Sequence, residues 1–314
     1  MGRMSFVGRR LVQLVPVAVG VTIVVFFMIH LIPGDPARTI LGIHATPRAI
    51  QELHAEWGLN RSLASQYWLF LDRLLHANLG QSLIYGVSAA SLIVQRLPAT
   101  LWLIVYASVL AVLISVPLAM IAATRRNGIR DQVVRAVPLV GLGMPPFWVG
   151  FLLIYAFGIH FRLFPVGGYG AGIGGHLKSM FLPSLTVAIA LAPVVIRSLR
   201  ASMLSVLGAD YITTARAKGV PGPRLFVRHV LRNAVIPAIT VLGINIGFLI
   251  GGTVIIENVF AIPGIGQLMI NSIFQRDFPV VQGVTLVFAV LVVLVNLLAD
   301  MTYASLDPRV SFDR

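Results

Sequence analysis

Cysteine is absent from the 314-residue chain. Without a thiol there is no disulfide framework, no thiolate metal site and no cysteine nucleophile. Charge is scarce as well. Only 11% of residues are charged, against about a quarter in an average globular domain. A soluble domain of this length needs charge to cover its surface, which excludes a cytosolic enzyme. No G-x-x-x-x-G-K-[ST] phosphate loop, H-E-x-x-H pair or G-x-S-x-G elbow occurs, so ATPase and hydrolase chemistry of those kinds is not encoded. The seven histidines are scattered without a metal-spaced pair, and no metal site is expected. His44 and His54 read as ordinary surface residues. Low-complexity segments and short-period repeats are missing too.

What is abundant is apolar side chain, 57% of the total. That excludes disorder and leaves an all-α polytopic membrane protein. A spanning helix needs about 20 mostly apolar residues. Six runs meet this, at residues 11–32, 98–123, 133–159, 181–204, 237–258 and 282–306. The first follows Arg3, Arg9 and Arg10 and has the outline of a secretory signal. It is longer than a usual signal core and no A-x-A-like site follows, so an uncleaved span is expected. Pro33-Gly34-Asp35-Pro36 then supplies a turn and a helix stop.

Net charge is +13, carried by 22 Arg and 2 Lys. The arginines form no stripe interleaved with aromatics, so nucleic acid is not an expected partner. They cluster between apolar runs instead. Sixteen of the 24 basic residues fall with the two termini, the 125–135 turn and the 197–232 region. The richer side is cytoplasmic by the positive-inside rule, which puts both termini inside. On the other side, residues 33–97 form a long outer loop with three expected helices. One covers 47–57 and stops at Gly58. Ser62 caps a second through about His76, with Leu63, Tyr67, Phe70, Leu71 and Leu74 on one face. Ser88 caps a third through Gln95, ending before Pro98. Residues 160–180 read as a Gly-rich loop.

Within the fifth run, Gly243, Gly247 and Gly251 recur every four residues, with Gly252 beside them. Such a small-residue face lets a partner backbone approach, either at a seam between subunits or within one chain. Asn245 in the same run reads as an interhelical hydrogen-bonding group. Arg197 and Arg200 near the inner end of the fourth run, and Asp300 near that of the sixth, form a candidate intramembrane pair. No chain of buried carboxylates and histidines suggests a proton relay.

The most informative stretch is Asp210-Tyr211-Ile212-Thr213-Thr214-Ala215-Arg216-Ala217-Lys218-Gly219-Val220. It predicts a short helix with a Gly stop, followed by a basic helix entering the fifth run. Thr213, Thr214, Ala215 and Ala217 are small, so another surface can come close, and the helix reads as a docking element.

D-Y-x-x-T-A-R-A-K-G-V at 210–220 and R-H-x-L-R-N-A-x-x-P at 228–237 resemble the cytoplasmic loop motif of ABC importer permeases of the dipeptide, oligopeptide and nickel branch. The likeness runs nearly end to end. It takes in L-I-P-G-D-P-A at 31–37, G-L-N-R-S-L at 58–63, N-L-G-Q-S at 78–82, R-L-P-A-T-L at 96–101 and P-P-F-W at 145–148. It continues with F-P-V-G-G-Y at 164–169, G-G-T-V-I-I-E-N-V-F at 251–260, P-G-I-G at 263–266, R-D-F-P-V-V-Q at 276–282 and L-D-P-R at 306–309. The resemblance implies an importer-permease (MetI-like) core at 97–306 with its coupling loop at 205–236. An extra N-terminal helix and outer loop would occupy 1–96, and a cytoplasmic tail 307–314. It implies a bacterial inner-membrane chain, the first permease of a heterodimeric pair. Its partners would be a second homologous permease, two ATPase subunits and an extracytoplasmic binding protein. ATP and Mg would sit on the ATPases, with no cofactor on this chain. Carried over by position, the coupling residues are Asp210, Tyr211, Thr214, Ala215, Arg216, Lys218 and Gly219. The general motif has Glu-Ala-Ala where this chain has Thr213, Thr214 and Ala215, so no salt bridge from that acid is carried over. Small peptides are the implied cargo, with nickel chelates, glutathione and opine-like solutes as alternatives. A membrane enzyme would need carboxylates or histidines clustered at one interface, and a purely structural membrane partner would leave uptake intact when deleted.

Overall fold

The computed structural model describes residues 3–30, 35–58, 60–82, 84–124 and 127–306. Pro33, Gly34, Arg125, Arg126 and the expected tail at 307–314 lie outside the described residues. Among those described, every extended regular element is a helix, because a backbone without water must satisfy its polar groups internally. The backbone divides into two units, Met1–Thr100 with Pro263–Val293, and Leu101–Ile262 with Leu294–Arg314.

The first unit holds α1 (Arg3–His30), α2 (Pro36–Leu41), α3 (Pro47–Trp57), α4 (Leu63–Leu75), the start of α5 (Ala89–Thr124), α13 (Ile265–Phe274) and the first part of α14 (Phe278–Leu306). Of these helices, α4 begins at its expected cap, Ser62, and α3 is capped by Thr46. Thr46 accepts the Ala49 N–H at 3.2 Å, and Ser62 accepts that of Ser65 at 3.4 Å. Gly58 closes α3 with φ +67°. Tyr67 and Phe70 lie against α1, the Tyr67 hydroxyl 2.9 Å from Thr22 Oγ1 and its ring 5.3 Å from that of Phe26. Leu63, expected on the same face, is exposed. His54 is not a free surface residue. Its Nε2 sits 2.8 Å from Asp35 Oδ1, which also caps α2 through the Ala37 N–H. The imidazole beside Asp35 holds its carboxyl below the ordinary range.

The third outer helix does not end before Pro98. It begins at Ala89 and continues as α5 to Thr124. A proline removes one hydrogen bond and bends a helix, but in apolar surroundings staying helical keeps all the others. Neither α2 nor α13 was expected, since both are too short for a span signal. α13 packs Ile265 and Leu268 with Ala89, Ile93, Val280 and Val284. Gly80 and Ser82 dock beside it. The Ser82 hydroxyl donates to Asp277 Oδ2, and a Cβ on Gly80 would sit 3.3 Å from Pro279. Burial pushes the Asp277 carboxyl up.

The second unit holds the rest of α5 and α14, with α6 (Ile129–Gly143), α7 (Pro146–Leu153), α8 (Gly172–Ser179), α9 (Phe181–Leu207), α10 (Asp210–Ala217), α11 (Gly222–Leu225) and α12 (Arg232–Val259). The run at 133–159 is not one helix. α6 stops at Gly143, Met144 is extended (φ −94°, ψ 132°), and α7 starts at Pro146. A residue before proline is driven out of the α region, and Pro145-Pro146 imposes that twice. The Gly-rich stretch at 160–180 contains α8. The six apolar runs thus take different forms. Ala89–Thr124, Phe181–Leu207 and Phe278–Ala299 are each long and apolar enough to cross a membrane. The fifth run meets the preceding Gly222–Val235 segment at a 46° bend, the third is broken, and Val15–Met28 is a shorter apolar helix in the first.

The glycine face of α12 divides in two. A Cβ on Gly243 would lie 2.3 Å from that of Ala299 on α14, whereas Gly251 and Gly252 have nothing within 4 Å. Gly247 is half-buried. Asn245 bonds to its own helix, donating to the Val241 carbonyl at 2.7 Å. Gly243→Ala is expected to lower stability by about 1–3 kcal/mol through overpacking, while Gly251→Ala leaves it unchanged or raises it by up to about 1 kcal/mol. Thermal unfolding of the detergent-solubilised protein checks both.

Candidate functional site

The segment between α9 and α12 is built by local signals. After Leu207 the chain bonds back, Gly208 N–H to the Leu204 carbonyl at 3.3 Å, and Ala209 is extended (φ −79°, ψ 145°). Asp210 opens α10 with its carboxylate in the first turn, where the helix dipole favours a negative charge. At the other end Lys218 N–H reaches the Thr214 carbonyl at 3.0 Å and Val220 N–H that of Ala215 at 3.2 Å. Gly219 has φ +75°, a left-handed stop that glycine adopts without strain. Pro221 then starts α11, which continues through a wider turn (Phe226–Leu231) into α12.

One side of α10 is anchored. Ile212 is fully buried with Leu199 and Met203 of α9, Ala119 and Ala123 of α5, and Leu225, Phe226, Val230 and Ala234 beyond the stop. Ala215 and Val220 pack partly against the same cluster. Burying Ile212 contributes about 1.5–3 kcal/mol. The other side is open. Asp210, Tyr211, Thr214, Arg216, Lys218 and Gly219 are all exposed. Of the expected coupling residues, only Ala215 faces the seat. Asn233 at the start of α12 donates to the Tyr211 hydroxyl at 3.3 Å.

Arg200 has a partner other than the one expected. Its Nε is 2.6 Å from Asp131 Oδ1 and its Nη2 2.7 Å from Oδ2, a bidentate pair. Asp131 is fully buried, and 16% of the Arg200 side chain is exposed. Asn127 N–H adds a bond to Oδ2 at 2.9 Å, and Arg135 Nε lies 3.7 Å from Oδ1. Depth along the chain pointed to Asp300, whose side chain lies outside the described set. The packing of α6 on α9 brings Asp131 to Arg200 instead. Arg197 is exposed. The signal for Asp131 was present: it is one of 11 acids and sits among arginines in a turn opened by Asn127-Gly128. The Arg200 guanidinium holds the Asp131 carboxyl below its ordinary value of 3.8. Among the described residues, no three of His, Asp and Glu come together as a metal site.

Fold and site together define an all-helical polytopic membrane protein that presents a small, stiff helix between two apolar helices. Residues 115–312 match the family described as binding-protein-dependent transport system inner membrane component. Residues 3–104 match its N-terminal companion. The glutathione transport system permease protein GsiC of Escherichia coli CFT073 is 37% identical over 98% of this chain and 99% of its own length. GsiC of Pectobacterium atrosepticum is 38% identical over 97% and 98%. A probable peptide ABC transporter permease, y4tP of Sinorhizobium fredii, is 37% identical over 98% and 99%. Among solved structures, the inward-facing MetNI methionine ABC transporter superposes with a TM-score of 0.58 at 17% identity, covering 69% of this chain and 96% of that one. An amino acid ABC transporter solved with histidines gives 0.52 at 17% identity, covering 68% and 94%. The chain belongs to the binding-protein-dependent transport system inner-membrane component family. It is a permease subunit of an ABC importer, a transport component and not an enzyme.

Ile212→Ala is expected to cost about 2–5 kcal/mol at the seat and to raise hydrogen–deuterium exchange across residues 210–219 selectively. Asp131, with its carboxyl depressed when folded, contributes stability that is fully present above pH 3.8 and lost as pH falls through the folded value. Melting temperatures of the parent and Asp131→Asn should therefore differ at neutral pH and converge only below pH 3.8.

Proposed function

We propose that the chain imports small peptides, glutathione included, as one of two homologous permeases. Both termini and α10 face the cytoplasm, as the arginine distribution favours. A binding protein delivers cargo to the opposite face. The exposed Gly251 and Gly252 surface of α12 meets the second permease, where small residues let helices approach. ATP and Mg are held by two ATPase subunits, and this chain binds no cofactor.

The observation that carries this reading is the two-sided build of α10. Ile212 fixes it to the membrane helices while Tyr211, Thr214 and Lys218 are presented outward. A helix held that way transmits a push. ATP draws the ATPases together, the two α10 helices follow, and the helix bundle shifts from inward- to outward-facing. ATP has to bind the closed state more tightly than the open one, or nothing shifts. The peptide assignment rests on two relatives named for glutathione transport and one for peptide transport. Glutathione is itself a tripeptide, so the two cargoes share charged termini and amide groups.

The test is uptake of labelled glutathione and a labelled dipeptide panel by a deletion strain, with the chain restored or absent. Restored uptake of either is expected. Gly219→Trp should leave the membrane helices folded and reduce uptake at least about tenfold, a size typical of lost coupling between sites. The substitution strains a backbone at φ +75° and thickens the docking face. Wild-type uptake by that variant would remove α10 from the pathway.

A further inference from the structure

We propose that Asp131 and Arg200 are positioning residues for coupling, tying α6 to the α9–α10 lever so that movement of α10 reaches the broken apolar run at Met144-Pro145. This rests on the reading of α10 as the coupling helix. Several observations converge on it.

The first is attachment. Leu199 and Met203 of α9 form the seat of Ile212, and Arg200 lies between them in sequence on that helix. The seat and the ion pair therefore hang from one turn of α9. A push on α10 arrives at this turn first.

The second is that α6 is a half-helix. It ends at Gly143, and extended residues separate it from α7. No continuous helical hydrogen bonding carries force across that break, so side chains must decide what α6 follows. Along its length α6 lies antiparallel to α9. Asp131 meets Arg200 at one end. Val134 packs with Ala192 and Ile196 in the middle. At the far end a Cβ on Gly141 would lie 3.4 Å from Ile189 Cγ2 and 3.7 Å from the Ile189 carbonyl oxygen. That carbonyl, Ile189 O, is the one Pro193 leaves without its usual helical donor.

The third is the character of the tie. Apolar contacts such as Val134 on Ile196 slide at little cost because they have no direction. A bidentate carboxylate–guanidinium pair has a fixed geometry and sets the register. Asp131 is fully buried, and Arg200 and the Asn127 N–H occupy both its oxygens. Opening the pair would strand a buried charge. It therefore works as a strut through the transport cycle and not as a gate that opens within it.

The test uses the full importer, this chain with its partner permease and ATPases, in proteoliposomes. ATP hydrolysis and import are measured together, the cargo being the labelled glutathione or dipeptide that the parent imports. Asp131→Asn is expected to hydrolyse ATP near the parent rate while import per ATP falls about tenfold, within the range of ordinary coupling energies. Arg200→Lys, which keeps the charge but loses the fork, should fall between. The charge swap, Asp131→Arg with Arg200→Asp, should recover most of the lost ratio. Should Asp131→Asn fail to assemble, the swap decides. A swap that assembles but couples no better than Arg200→Asp alone overturns the proposal, as does an Asp131→Asn complex with the parent ratio. Gly219→Trp runs alongside. If it lowers the ratio and Asp131→Asn does not, only the present inference falls. If it leaves the ratio intact, the coupling reading of α10 falls and takes this inference with it.

A second readout needs no cargo. The chain has no cysteine, so spin labels at Gln132→Cys and Thr213→Cys are unique in it. Their distance should stay narrow with and without ATP in the parent and broaden in Asp131→Asn. An unchanged distribution in that variant overturns the strut.

Discussion

Apolar surroundings leave the backbone one economical place for its hydrogen bonds, inside the helix, and each departure from the helix needs an answer from a neighbour. The second unit is organised around such departures. Pro193 in the middle of α9 frees the Ile189 carbonyl, and α6 passes beside it at Gly141, where an added Cβ would lie 3.7 Å from that oxygen. Pro145-Pro146 break the third apolar run, and α7 resumes against α9 and α12. The Gly-rich segment after α7 returns to the end of α12. There Gly168 N–H donates to the Phe260 carbonyl at 2.9 Å, and a Cβ on Gly167 would lie 2.3 Å from that same oxygen. A glycine is required at 167 because the backbone itself is the contact surface.

A chain with so few charges uses them sparingly and in opposite ways. Asp131 is buried but held charged by Arg200, and its carboxyl is depressed. Asp277 is buried against the Ser82 hydroxyl, and burial raises its carboxyl. The first can lock a register because it is ionised and directional. The second joins Ser82 to the corner between α13 and α14 through a neutral hydroxyl.

The loop between α9 and α12 gains its stiffness from this frame. α10 has only eight residues, too few to be stable alone. Its conformation is held by Ile212 in the shared core, by the left-handed Gly219 and by the Asn233–Tyr211 bond. A short helix held from three sides presents a fixed face. A fixed face is what the coupling role proposed for α10 requires.

Composition and local pattern were enough to specify the membrane class, the Ser62 cap, the stops at Gly58 and Gly219 and the short helix that opens at Asp210. These depend on side chains within one turn of each other, or on the sum of hydropathy over a run, and both are written in linear order. The break at Met144-Pro145 was legible as well, in the paired prolines, but a continuous apolar count concealed it. Other features belong to the tertiary structure. Position along the helices pointed Arg200 to Asp300, and only the antiparallel packing of α6 on α9 selected Asp131. The glycines of α12 share one spacing, yet Gly243 is closed by Ala299 while Gly251 is open. Asp277 and Ser82 are 195 residues apart, and nothing local to either names the other. Periodicity states which face a residue occupies, whereas the neighbour across that face is fixed only when the helices pack.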